Sequence, residues 1–276
     1  SLRACRPMRC ALLYVRWGTQ SQFSNTMLIP SKKDAIHKAW LCRILEGIAD
    51  DPLLPSVLYF KGGTCASLLG WLDRFSVDLD FDYAGDMEAM AATRAALERI
   101  FDELGLVVKD ASKKGIQYFL RYEAEGRNTL TIDTSFPLFS ASTYAPQRIQ
   151  EIDRILTCQT RETMVAHKLC ALIDRYEKRG GIAGRDIYDI HYFFMMGYAY
   201  SHDVIRERGG TDVKTYLLKL YAFVEREVTD TMISQDLNYL LLPDTFQRIR
   251  KVLKREVLSL LHDEIARLED TRQEAG

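Results

Sequence analysis

Asp78, Asp80 and Asp82 stand at alternate positions in the run FSVDLDFDY, residues 75–83. Apolar and acidic side chains alternate there without a break, which predicts a strand with its three acids on one face. Carboxylates crowded in this way repel one another unless a cation neutralises them. An exposed edge strand with a solvated acidic face is the simple alternative, and D-x-D alone does not exclude it. Three neighbouring features point elsewhere. Lys61-Gly62-Gly63-Thr64 lies between the apolar run VLYF, 57–60, and a short helix that Thr64 can cap and Gly70 can end. Glycines there let the backbone approach a ligand, and free N–H groups at a helix start favour phosphate. That helix is just long enough to bring 75–83 back beside 57–60. Finally, Asp133 sits among apolar residues in TLTIDTSF, 129–136, where a carboxylate is costly without a partner.

A shared metal site would supply that partner. Asp78, Asp80 and Asp133, beside a Gly-Gly turn, can hold two Mg²⁺ ions. Such ions bridge a nucleoside triphosphate and activate an acceptor hydroxyl for in-line attack at the α-phosphate, releasing pyrophosphate.

The elements that must position these groups are legible in outline. Ser31 reads as a helix start, and Ile36, Trp40, Leu41, Ile44, Leu45 and Ile48 follow at helical spacing until Pro52 and Pro55. An amphipathic helix is expected over 86–104, closed by Gly105. The β-type runs LVVK (106–109), IQYFLRYEA (116–124) and TLTIDTSF follow, with Gly126-Arg127-Asn128 as the last turn. Beyond Pro137 the character changes. One more short strand is expected within 151–159, then helices at 161–178, 185–197, 201–207, 212–228 and 245–269. The predicted class is α+β: a mixed sheet with flanking helices over 27–140, and a mainly helical domain over 141–276 that completes the site.

In that second half, HKLCALIDRYEKRGGIAGRDIYDIHYF (167–193) places Lys168 and Arg175 two turns apart on one helix face. Solvated cations on an amphipathic helix are the plain alternative. His167 and His191 read as structural, because the chemistry needs no histidine. Tyr188, Tyr192, Phe193 and Phe194 read as helix packing.

Composition narrows the class. A net charge of -1 argues against a protein that coats nucleic acid, though a local basic groove is compatible with it. The six cysteines, Cys5, Cys10, Cys42, Cys65, Cys158 and Cys170, lack C-x-x-C spacing and are too sparse for a disulfide framework. Reduced thiols in a cytoplasmic protein are expected, and no apolar run approaches a membrane span. Patterned sequence begins at Met27; residues 1–26 are expected to precede the natural start or to form a loose extension.

The pattern G-G-T, thirteen residues, D-x-D resembles the signature of the polymerase-β-type nucleotidyltransferase superfamily. The wording KGGT…RFSVDLDF is similar to its AbiEii/AbiGii branch, the toxins of bacterial abortive-infection and toxin–antitoxin systems, from about Leu58 to Ile190. The resemblance implies a cytoplasmic enzyme of phage defence that moves a nucleoside monophosphate from an NTP to tRNA, other RNA or protein, with a cognate antitoxin. It implies that Gly63 and Thr64 bind the β- and γ-phosphates, assisted by Lys61 and Gly62, and that Asp78 and Asp80 ligate metal with Asp133 as third carboxylate. Arg74 and Ser76 match the family's R-x-S position, and Asp82 falls outside the pair as a supporting or solvated group. A second family region, a lysine, an arginine seven on, a basic-Asp pair and a later Asp, corresponds to Lys168, Arg175, Arg185-Asp186 and Asp189. Lys168 would steady the triphosphate with help from Arg175, while Asp186 and Asp189 hold those cations or act near the acceptor. The gap between Arg175 and Asp186 is long for the family, and the insert YEKRGGIAG accounts for it. Two other readings share the first motif: an aminoglycoside-type small-molecule nucleotidyltransferase, and a catalytically inactive NTP-binding regulator. The intact Asp78, Asp80, Lys168 and Asp189 speak against the second.

Overall fold

The computed structural model describes residues 27–122 and 128–274. The expected N-terminal extension, with Cys5 and Cys10, and Gly126-Arg127 of the expected turn lie outside the described residues.

Helix α1 (Lys32–Asp50) follows Ser31 and buries Leu41, Ile44, Leu45 and Ile48 along one stripe. After a one-turn helix, α2 (Leu54–Val57), come β1 (Leu58–Lys61), α3 (Gly62–Leu68), β2 (Leu79–Tyr83) and α4 (Met90–Glu103). Then follow β3 (Val107–Ala111), β4 (Gln117–Arg121), β5 (Thr129–Ser135), β6 (Tyr144–Ile149) and β7 (Arg154–Gln159). The strands form one mixed sheet in the order β3-β4-β5-β2-β1-β7-β6. β2 lies antiparallel to β1 and parallel to β5, while β7 joins β1 in parallel.

Alternation assigns the two faces. Leu79 and Phe81 on β2 are fully buried, and Phe81 packs on Phe60 of β1 with ring centroids 5.3 Å apart. Phe101 of α4 meets Tyr118 of β4 edge-on at 5.1 Å. The opposite face carries Asp80, Asp133, Gln117 and Phe119, and it looks towards the later helices. These are α5 (Arg161–Arg179), α6 (Gly184–Met195), α7 (His202–Gly209), α8 (Val213–Glu227), α9 (Asp230–Leu237), α10 (Pro243–Ile249) and α11 (Leu253–Glu274). Thr160 caps α5 by accepting from the Thr163 N–H, and Gly180, in the left-handed region, ends it.

The α+β class is as expected, with three corrections. The strand expected over 75–83 begins only at Leu79. The residues before it bond outside the ladder; the Phe75 N–H, for instance, donates to the Leu240 carbonyl at 2.8 Å. The stretch from 141 opens with two strands of the same sheet where one is expected: β7 is the strand expected within 151–159, and β6 is additional. β6 escaped notice because Pro146 interrupts its pattern; as an edge strand, β6 tolerates proline. The helix expected over 245–269 is instead α10 and α11, and α9 lies in a stretch without an expected element.

A buried ion pair joins the sheet's connections to the helices. Arg74, 2% exposed, donates from Nε and Nη2 to the two carboxylate oxygens of Asp189, 0% exposed, at 2.5 and 2.8 Å. Removing one partner strands a buried charge, which typically costs about 3–5 kcal/mol. Asp189→Ala should therefore lower stability by about that amount in chemical denaturation; a wild-type midpoint would contradict this role for the pair.

Candidate active site

The site begins at the turn after β1. Gly62 has φ +80°, and a Cβ there would stand 2.3 Å from Oδ2 of Asp80. A Cβ on Gly63 would meet Nη2 of Arg74 at 2.7 Å and Oγ of Ser76 at 2.9 Å. Both glycines are thus required by close approach, the first also by its backbone conformation. The turn presses against the acidic strand on one side and the Arg74–Ser76 segment on the other.

Strand register then assembles the carboxylates. Asp80 is paired with Lys61 across the antiparallel β1–β2 ladder and with Asp133 across the parallel β2–β5 ladder. Asp78 precedes β2. All three acids line one open cavity of about 440 Å³ together with Gly63, Arg74 and Ser76. Burial and then the neighbouring Asp78 charge push the Asp80 carboxyl up to about 6. Burial also raises Asp133, while Lys61 pulls both back. Among the described residues no three acid, His or Cys side chains close into a metal-holding cluster. The donor set nevertheless suits a hard divalent cation: oxygen ligands only, mutually repelling, on adjacent strands and facing one cavity.

Two residues of the sequence motif lie behind the cavity rather than in it. Thr64 is fully buried, and its hydroxyl donates to the Asp78 carbonyl at 2.5 Å. The Lys61 ammonium donates to Asp82 at 2.6 Å and to the Ser135 hydroxyl at 2.7 Å. Asp82, 5% exposed, also accepts from the Tyr144 hydroxyl at 2.8 Å and the Gln159 amide at 2.6 Å. Asp82 is therefore a supporting group and not a solvated one. It anchors the cation that sits beneath Asp80 and Asp133.

Across the cavity stands a cationic wall. Lys168 donates to Asp186 at 3.1 Å and pairs with Asp189 at 2.8 Å, and Arg175 donates to Asp186 at 3.2 Å. Burial alone would discharge Lys168, Asp186 and Asp189. Instead, Asp189 and Asp186 raise Lys168 above its ordinary range, and Arg74 with Lys168 holds Asp189 at about 2 against the effect of burial. Asp186, likewise opposed by burial, is lowered by Lys168 and Arg175. Asp186 and Asp189 do not line the cavity, so of the two roles open to them they hold the cations rather than face an acceptor. Lys168, Arg175 and Arg185 do line it.

Sequence reasoning missed Lys178 and Arg179, which also line the cavity and have no ion-pair partner among the described residues. Arg179 follows Lys168 and Arg175 on the same face of α5, a signal that its place in the run YEKRGGIAG obscures. Arg208, paired with Asp174 at 2.8 Å, and Gln117, Phe119 and Thr131 complete much of the rim. The histidines are structural, as expected. His167 bonds Ser142 and Arg208, and burial, then the Arg208 charge, press it down to about 3; His191 meets Glu256 at 2.7 Å.

No curated protein matches the chain. Among solved structures, a proposed nucleotidyltransferase from H. pylori superposes with a TM-score of 0.58 at 20% identity, covering 87% of this chain and 98% of its own. JHP933 from Helicobacter pylori does so with a TM-score of 0.50 at 18% identity, over 88% and 99%. At these identities the likeness is one of fold. The sequence profile of the family described as nucleotidyl transferase AbiEii toxin, type IV TA system, matches residues 43–268, which include the turn, the acidic strands and the cationic wall. The chain belongs to this family of AbiEii nucleotidyltransferase toxins.

Proposed function

We propose that this transferase is metal-dependent and moves a nucleoside monophosphate from an NTP to a hydroxyl of a macromolecular acceptor, with RNA, such as tRNA, favoured over protein. The observation that carries the reading is one cavity with an acidic floor (Asp78, Asp80, Asp133) and a cationic wall (Lys168, Arg175, Arg185). Asp78, Asp80 and Asp133 would hold Mg²⁺, two ions by family analogy; bound there, the metal neutralises triphosphate charge and acidifies the attacking hydroxyl. The Gly62-Gly63 turn and Ser76 take the terminal phosphates. Lys168, kept charged by Asp186 and Asp189, and Arg175, oriented by Asp186, steady the negative charge that shifts towards pyrophosphate. Asp133, whose carboxyl burial raises, would accept the hydroxyl proton.

Lys178 and Arg179, on the rim without ion-pair partners among the described residues, favour a polyanionic acceptor. They disfavour the aminoglycoside-type alternative, since a polycationic substrate would face a cationic wall. A role as toxin of an antitoxin-regulated defence system, in the cytoplasm, belongs to the same proposal. No helix among the described residues is long and apolar enough to cross a membrane.

Asp80→Asn should reduce transfer of label from [α-³²P]NTP to RNA by about 10²–10³-fold or more, while raising the melting temperature of the metal-free protein above pH 6, because it removes a disfavoured charge. Full activity in this variant would refute the mechanism. Lys168→Gln keeps a hydrogen-bonding group for the aspartates, and its KM for NTP should rise about tenfold; unchanged NTP kinetics would remove Lys168 from the phosphate site. A proton on Asp80 competes with metal, and its carboxyl titrates near 6. Divalent-cation affinity, followed by calorimetry, should thus be constant above that pH and weaken as pH falls through it. A flat profile from pH 5 to 8, a span of about 3 units, would show that Asp80 is not a ligand.

A further inference from the structure

Asp78 is the one acid of the floor that the sheet does not hold. β2 begins at Leu79, and the ladder pairs of β2 with β5 begin there too. The chain around Asp78 is held by side chains instead. The Asp78 carbonyl accepts from the Thr64 hydroxyl at 2.5 Å, and the Val77 carbonyl, on the other side of the same residue, meets His37 Nε2 at 2.7 Å. Asp78 is thus gripped on both sides, from the phosphate turn by Thr64 and from α1 by His37.

His37 is 0% exposed and lies outside the cavity lining. A carbonyl can only accept, so Nε2 carries the proton. Nδ1 is hydrogen-bonded to the Tyr122 hydroxyl at 2.7 Å. The Phe75 ring packs edge-on against the imidazole at 6.0 Å, and Tyr122 stacks on Trp40 at 5.5 Å. One ring orientation is therefore specified, and the Nε2 donor points at the peptide that precedes Asp78. A histidine with both nitrogens engaged supplies a directed hydrogen bond to a segment that lacks ladder partners.

We propose that His37 is a positioning residue of the metal site: by holding the Val77 carbonyl it sets the backbone of Asp78 and thereby places its carboxylate. The inference rests on the reading of Asp78 as a metal ligand. The test is Mn²⁺ binding to the full chain, followed by electron paramagnetic resonance well below the melting temperature of each variant. His37→Gln keeps a donor near the position of Nε2 and should stay within about twofold of wild type. His37→Asn, which can satisfy only the Tyr122 side, and His37→Ala should each weaken Mn²⁺ binding about tenfold. Because His37 acts through Asp78, adding His37→Asn to Asp78→Asn should change the affinity little further.

Folded His37→Asn with wild-type Mn²⁺ affinity, or additivity with Asp78→Asn, would overturn the proposal. So would an affinity loss in His37→Gln as large as in His37→Asn, since melting temperature and not the donor would then be the common factor. If wild type itself bound no Mn²⁺, or bound it equally well with Asp80→Asn, the metal reading would fail and this inference with it. A loss of the His37 effect alone leaves the metal reading standing.

Discussion

Three carboxylates crowd together on two neighbouring strands and the residue just before one of them, and their mutual repulsion is the constraint around which the rest of the protein is arranged. Asp80 and Asp133 are held side by side by the β2–β5 register, and Asp78 adds a third charge just before β2. Burial and repulsion together push Asp80 up to about 6. Such an arrangement is unfavourable in isolation and becomes favourable when cations and phosphates share the cavity. Lys61 supplies a built-in counter-charge from below, anchored by Asp82, Tyr144 and Gln159. The remaining demand is what a metal-bound triphosphate would satisfy.

The opposite wall solves the converse problem. Lys168 is half-buried beside Arg74, and cations so placed would tend to lose charge or swing away. Two fully buried aspartates prevent both. Asp189 binds Arg74 and Lys168, and Asp186 binds Lys168 and Arg175, so α6 acts as a rigid backing for the cations of α5 and of the segment before β2. The same contacts tie the helices to the sheet, which makes the geometry of the wall and the stability of the fold one property. Lys168 and Arg175 are held back from the acidic floor because each already has a buried carboxylate partner behind it.

Much of this was legible in the sequence. Period-two alternation placed Asp80 and Asp133 on strands, and the isolation of Asp133 among apolar residues marked it as a group needing a partner. The spacing of Lys168 and Arg175 placed them on one face of α5. What was not legible depends on contacts distant in the chain. The alternation of FSVDLDFDY continues through Asp78, yet the ladder stops at Leu79, because Phe75, Val77 and Asp78 bond instead to Leu240, His37 and Thr64. Nothing local to Asp82 shows that Lys61, Tyr144 and Gln159 converge on it. Pro146 hid β6, since a proline in a strand reads as a break until the strand is known to be an edge. Arg179 was hidden by its position at the end of α5, beside the glycines of the insert.

A cavity of this kind transfers the nucleoside monophosphate and not the terminal phosphate. The most direct test incubates the full chain and Mg²⁺ with NTP labelled at either the α- or the γ-phosphate, together with a pool of cellular RNA and protein. Nucleoside monophosphate transfer gives stable labelling of a macromolecule, foremost RNA, from the α-labelled NTP only, with release of labelled pyrophosphate from the γ-labelled one. Label carried to the acceptor from the γ-position, or from neither position, would contradict it.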